Sequence, residues 1–232
     1  MGKHVLVIRH GERIDFVDPD WKRTAKNPHD PPLTELGLQQ ADETGQFLLT
    51  DLKPRAHVRA IYTSPFTRTV QTACQIAAHL DLPVFVEPGL SEWMFEEYFG
   101  ASPPNFRTAE QLALEFRAVS TEYTPIMERP AFPETPADAW DRCKGVMRTL
   151  LARTLTGEPD GAMICVTHGG PTEFLTGSLL KPGGEAVAKW VTFCSIMECV
   201  PDDEKEEFWK IVKNAYHEHL TNPEVTESQR YN

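Results

Sequence analysis

The sequence predicts an α/β fold with a mostly parallel sheet. Short apolar runs end abruptly in charged or turn-forming residues, helical segments separate those runs, and chemically capable side chains stand just past the runs' carboxyl ends. Val5-Leu6-Val7-Ile8 predicts a buried strand over 4–8, which leads into Arg9-His10-Gly11-Glu12-Arg13. An insertion is read over about 14–32. A helix is predicted from Thr34, a strand over 59–63, and a helix over 65–80 with Ser64 as N-cap and Pro65 at its first position. A strand over 83–86 runs into the Pro-Gly turn of Glu87-Pro88-Gly89-Leu90-Ser91-Glu92-Trp93. A second insertion, about 93–135, is rich in proline and rings and holds a helical stretch near 110–119. A helix over 136–155 precedes a strand over 162–167 that ends in His168-Gly169-Gly170, and a further helix follows Pro171. Residues 191–200 read as a strand at a sheet edge. Residues 202–220 read as a charged amphipathic helix, with a loose tail to 232.

In an open α/β sheet, ligands bind outside the carboxyl ends of the strands, so histidines at two such ends can meet although far apart in sequence. Arg9-His10, Arg68, Glu92 and His168 all fall there. Together they offer a nucleophile, cations, a proton carrier and a second imidazole, a set that suits phosphoryl transfer. The equatorial oxygens of a transferring phosphoryl group need positive donors. Arg9, Arg13 and Arg68 can surround them as bidentate, permanently charged forks, so no metal or other cofactor is required. Flanking guanidiniums favour a neutral, nucleophilic His10. The leaving oxygen needs a proton, which the Glu92 carboxyl can deliver and take back. His168 is expected to donate to a phosphoryl oxygen.

Four motifs in order, Arg9-His10-Gly11-Glu12-Arg13, residues 64–73 from Ser64 through Arg68, residues 87–93, and Val166-Thr167-His168-Gly169, resemble the histidine phosphatase (phosphoglycerate mutase-like) superfamily. The likeness is strongest to the phosphatase domain of suppressor of T-cell receptor signalling proteins and to ecdysteroid-phosphate phosphatases, and spans about residues 4–199. It implies a three-layer phosphoglycerate mutase-like fold with both insertions over the site. It also implies a phosphate pocket of Arg9, His10, Arg68 and His168, joined by Arg13 in this branch, with Glu92 at the family's proton donor. Arg13-Ile14-Asp15-Phe16 departs from the mutase continuation, and Gly169 departs from the acid-phosphatase pattern of Asp after the second histidine.

The expected activity is therefore metal-independent hydrolysis of a phosphomonoester through a phosphohistidine on His10, on a small-molecule or phosphotyrosine-type substrate. Phe16 and Trp93 are the substrate-pocket candidates, because the insertions are rich in rings and favour an aryl or apolar leaving group. Lys22, Arg23 and Lys26 keep a phosphotransferase or bisphosphatase on sugar phosphates as the alternative; a phospholigand-binding scaffold would lack a pocket residue, and none is missing.

A chain of 232 residues that is 41% hydrophobic suits one domain. Net charge of −11 argues against nucleic acid or an anionic membrane as partner. No stretch has the length of a membrane span, and no signal-peptide pattern is read, so a cytoplasmic location is the expectation; there is room for a homodimer. Five cysteines without Cys-x-x-Cys spacing are expected as buried free thiols within helices or strands. The run Asp15, Asp18, Asp20 reads as a solvated loop face. His4, His57, His79, His217 and His219 read as surface or rim residues, with His29 alone placed to reach a ligand.

Overall fold

The computed structural model describes residues 2–189, 191–205 and 207–223. β1 (His4–Arg9) leads through α1 (Ile14–Val17) and α2 (Trp21–Thr24) to α3 (Glu35–Asp51) and β2 (His57–Thr63). Then come α4 (Thr67–Leu80), β3 (Val84–Val86), α5 (Glu96–Phe99), α6 (Ala109–Ala113) and α7 (Pro136–Leu155). β4 (Gly161–Thr167), α8 (Gly169–Gly177), β5 (Ile196–Pro201) and β6 (Trp209–Tyr216) complete the order. The sheet runs β3-β2-β4-β1-β5-β6, with the first four strands in that order mutually parallel, β5 antiparallel to β1 and β6 antiparallel to β5.

Because successive strand residues point to opposite faces, β1 feeds two cores. Leu6 and Ile8 pack with Leu48 of α3 and Val70 and Ile76 of α4. Val5 and Val7 pack with Met147 and Leu150 of α7 and Leu175 of α8. Helices therefore cover both faces, giving the three layers that the sequence resemblance implies. Thr34 and Thr135 cap α3 and α7, the latter in a full capping box with Asp138.

Several elements differ from the sequence expectation. The described residues of 202–220 form no helix: they supply the turn after β5, edge strand β6 and a final turn. Burial along β6 alternates, with Trp209, Ile211, Lys213 and Ala215 turned inward. Lys213 reads as polar, yet it pairs with Glu198 and Asp51, which hides the two-residue period. β5 consequently lies inside the sheet rather than at its edge. The helix expected to 119 ends at Ala113, because residues 118–120 run beside Val84 of β3. The expected tail lies largely outside the described residues.

His4 is not a surface residue. It is buried against Glu198, 2.7 Å away, and Arg55 and Lys213 complete the cluster. Although burial raises the Glu198 pKa, these three partners hold it well below the usual carboxylate range. His219 is half-buried and stacks on Phe47 and Tyr216; burial lowers its pKa to about 4. The five cysteines are free, but Cys194 sits in a loop with a left-handed backbone rather than in a regular element. No helix among the described residues is long and apolar enough to cross a membrane.

One contact fixes the loop after β1. A Cβ on Gly11 would lie 2.4 Å from the Gly37 carbonyl oxygen, and one on Gly37 would lie 2.2 Å from that of Glu12. The loop and the first turn of α3 thus touch backbone to backbone. Overpacking of this kind costs about 1–3 kcal/mol, so Gly37→Ala should lower the urea midpoint correspondingly. An unchanged midpoint would show that the two backbones part freely.

Candidate active site

Register explains why the two histidines meet. β1 and β4 are neighbouring parallel strands with Arg9 opposite Thr167, so the next residue of each, His10 and His168, leaves the sheet side by side. The His10 amide donates to the Thr167 carbonyl, and the imidazole centroids are 5.4 Å apart. β2 flanks β4 on its other side, with Thr63 opposite Val166, and delivers Ser64 and then Arg68. β3 delivers the turn that carries Glu92.

His10 is 1% exposed, and its Nδ1 lies 2.7 Å from the Gly11 carbonyl oxygen. A carbonyl only accepts, so Nδ1 carries the proton and the lone pair resides on Nε2. Burial first, then Arg68, Arg9 and Arg13, push the His10 pKa well below 6.5. His168 is fully buried, with Nε2 2.8 Å from Ser64 Oγ and Nδ1 accepting from Arg68 Nη2 at 3.1 Å. Burial, Arg68 and His10 lower its pKa likewise. Both imidazoles are therefore neutral.

Arg68 is wholly buried, its guanidinium 4.3 Å above the Phe66 ring, and its Nε and Nη1 have no hydrogen-bond partner among the described residues. Arg9 donates to the Val191 carbonyl and lies over Phe193, which itself flanks His10. Arg13 forms a bidentate pair with Asp15 at 2.9 Å for both bonds and lies over Phe16. Asp15 is thus engaged rather than part of a solvated loop face; Asp18 and Asp20 are exposed. Glu92 is 3% exposed, with Oε2 3.9 Å from His168 Nδ1. Among the described residues no cluster of His, Cys, Asp or Glu is arranged to hold a metal ion.

The structure brings Arg9, His10, Arg13, Arg68, Glu92 and His168 to one place and divides the tentative pocket residues. Phe16 stacks edge-on against Phe193, next to His10. Trp93 is tied away from the imidazoles: its Nε1 donates to the Glu134 carbonyl, and its ring packs on Phe95 and Phe174. Phe66, Met94 and Phe99 form a satellite core with Tyr98, Phe106 and Phe132, and Phe66 also meets His168 edge-on. The insertions touch each other through Lys22 over Tyr98 and His29 beside Phe99.

Ser64 does not cap α4. Its hydroxyl is committed to His168, Phe66 holds the N-cap position, and the Asp30 carboxylate of the first insertion accepts from both the amide and the hydroxyl of Thr67. A Ser-Pro before a helix reads as a local cap, so neither the Ser64–His168 bond nor the remote cap has a sequence signal. Phe193 was missed for the same reason: it stands in an irregular loop without a motif.

Comparison with known proteins accords with this geometry. The family model of the histidine phosphatase superfamily (branch 1) matches residues 5–213, and the chain belongs to that superfamily. It is 28% identical to human ubiquitin-associated and SH3 domain-containing protein A over 90% of this chain and 37% of that protein. It is 25% identical to the Drosophila melanogaster ecdysteroid-phosphate phosphatase over 91% of this chain and 32% of that protein. The chain thus spans about a third of the length of these curated relatives. Among solved structures, the ecdysone phosphate phosphatase from Bombix mori in complex with tungstate superposes with a TM-score of 0.75 at 22% identity, covering 99% of this chain and 98% of that one. A mycobacterial glucosyl-3-phosphoglycerate phosphatase superposes with a TM-score of 0.59 at 22% identity over 92% and 99%.

The histidine environment makes a pH prediction. Free imidazole gains a proton near pH 6.5, whereas folded His10 and His168 stay neutral through that range. The unfolded chain then binds more protons than the folded one, so each histidine withdraws stability as pH falls below 6.5, at about 1.4 kcal/mol per unit until its folded pKa is reached. Nitrogen-15 NMR of the imidazoles at pH 5.5 should show both rings neutral; titration of His10 near 6.5 would refute the arginine field described here.

Proposed function

We propose that the protein is a phosphomonoester hydrolase that works through a phosphohistidine on His10 and draws its positive charge from arginines rather than from a metal. The observation that carries this reading is the neutral His10, its lone pair on Nε2, set among three guanidiniums of which Arg68 offers two buried nitrogens, Nε and Nη1, without a partner among the described residues. Nε2 attacks phosphorus as the ester P–O bond breaks, and Glu92 protonates the leaving oxygen. Water then attacks phosphorus as the P–Nε2 bond breaks, its proton passes to Glu92, and phosphate departs from a neutral ring. Arg9, Arg13 and Arg68 bind the equatorial oxygens throughout. The Ser64 hydroxyl can donate or accept, so His168 can hold its proton on either nitrogen. In the tautomer with the proton on Nδ1, His168 donates to a phosphoryl oxygen once the Arg68 fork has turned to the phosphate.

His10→Ala should abolish turnover of an aryl phosphate. Rapid quench of the unaltered protein in EDTA should trap an acid-labile, base-stable phosphoryl group. Label on serine or cysteine, or full activity in the alanine variant, would refute the nucleophile.

The leaving group is proposed to be aryl or otherwise apolar. Phe193 stands next to His10 with Phe16 edge-on against it, and rings of the second insertion pack around Phe66, which meets His168 edge-on. Lys22, Arg23 and Lys26, the residues that favour a sugar bisphosphate, are exposed. kcat/KM for naphthyl phosphate or phosphotyrosine should exceed that for 3-phosphoglycerate or a hexose phosphate by tenfold or more; equal values would return the sugar-phosphate reading.

A further inference from the structure

Arg142 and Glu134 lie outside all four sequence motifs, yet both are nearly inaccessible, at 8% and 5%. Arg142 projects from α7, and Glu134 immediately precedes that helix's N-cap, Thr135. Their pairing is bidentate, with Nε to Oε1 at 2.6 Å and Nη2 to Oε2 at 2.8 Å. The other three donors of the guanidinium are spent on one segment. Nη1 donates to the Gly89 carbonyl at 2.8 Å and to that of Ser91 at 3.0 Å, and Nη2 donates to the Glu92 carbonyl at 3.2 Å.

All five N–H groups of Arg142 are thus used, three of them on the backbone that carries Glu92. Glu134 grips the same segment from beyond Glu92: its Oε2 accepts from the Met94 amide at 3.0 Å, and its carbonyl accepts from Trp93 Nε1 at 3.0 Å. The backbone is held on both sides of one residue. The pair itself is neutral, so it adds little net charge to a site whose other cations face the phosphate.

We propose that the Arg142–Glu134 pair is the positioning device for the proton donor, fixing the Glu92 carboxyl at the distance from which it reaches the leaving oxygen. This rests on the reading of Glu92 as that donor. Proton transfer requires heavy atoms about 2.6–3.2 Å apart, and a displacement of about 1 Å can cost about a hundredfold in rate. Lysine cannot substitute, since its three donors on a single nitrogen cannot span three carbonyls and a carboxylate.

The consequence is selective. A looser Glu92 slows only substrates whose leaving oxygen depends on a delivered proton, and leaves the phosphate pocket intact. The test compares Arg142→Lys, Glu134→Gln and Glu92→Gln on p-nitrophenyl, phenyl and alkyl phosphates, with vanadate inhibition as the measure of the pocket. For Arg142→Lys we expect a loss of about tenfold or more on phenyl and alkyl phosphates, less than about threefold on p-nitrophenyl phosphate, and unchanged vanadate affinity. Glu134→Gln keeps the shape of the pair and removes one acceptor. It should give a milder form of the same pattern, and it carries the test alone if Arg142→Lys does not fold. If Glu92→Gln shows the leaving-group selectivity while the Arg142 and Glu134 variants lose activity equally on all three substrates, or lose vanadate affinity in step, the pair is only scaffold and the proposal is overturned. If Glu92→Gln itself shows no selectivity, it is the donor assignment that fails, and the two failures are read from different variants.

Discussion

Arg68 is a cation buried completely and held in no ion pair among the described residues. Taking such a charge out of water costs several kcal/mol, offset here only in part by the Phe66 face beneath it and the His168 nitrogen beside it. The rest of the site follows from this constraint. Beyond burial, its field and that of Arg13 help keep His10 and His168 unprotonated, with Arg9 adding to the effect on His10, and a protonated imidazole beside it would add to the imbalance. An anion bound beside it would relieve it, as the proposed phosphomonoester would. The fold tolerates the cost because Arg68 stands on the first turn of α4, which packs against α3 and the sheet.

Concentrating positive charge in a chain of net charge −11 also has a sorting effect. An anion approaching the chain meets a net repulsion, and attraction where the arginines converge. A substrate with an uncharged remainder would bear less of that repulsion than one with a second anionic group, which supports the proposal of an apolar leaving group.

The legible parts of the sequence were those where one residue type has one structural meaning. Val5 to Ile8 and Met163 to Val166 are apolar on both sides because both faces of the sheet are covered, and the histidines after them inherit their places from strand register. The C-terminal hairpin was illegible because two inward positions, Glu198 and Lys213, are charged and satisfied by each other, so the pattern of burial is not a pattern of hydrophobicity. Ser64 reads as a cap because a serine before a helix usually serves its own helix, whereas its hydroxyl serves His168. Arg142 and Glu134 had no signal at all: their partners are backbone carbonyls and amides some 40–50 positions away, which no local pattern reports.

The cap on α4 has a consequence for how such a site can diverge. Asp30 belongs to the first insertion, but its carboxylate closes the N-terminus of the helix that bears Arg68. The insertion therefore has two parts with unequal freedom to change. Residues 17–29 are free to be rebuilt, whereas Asp15 and Phe16, which hold Arg13, and Asp30 with the chain returning through Leu33 to α3 belong mechanically to the arginine site. Recombination of such loops between relatives should succeed when the join falls before Asp30, and should bring in a misplaced arginine when it falls after.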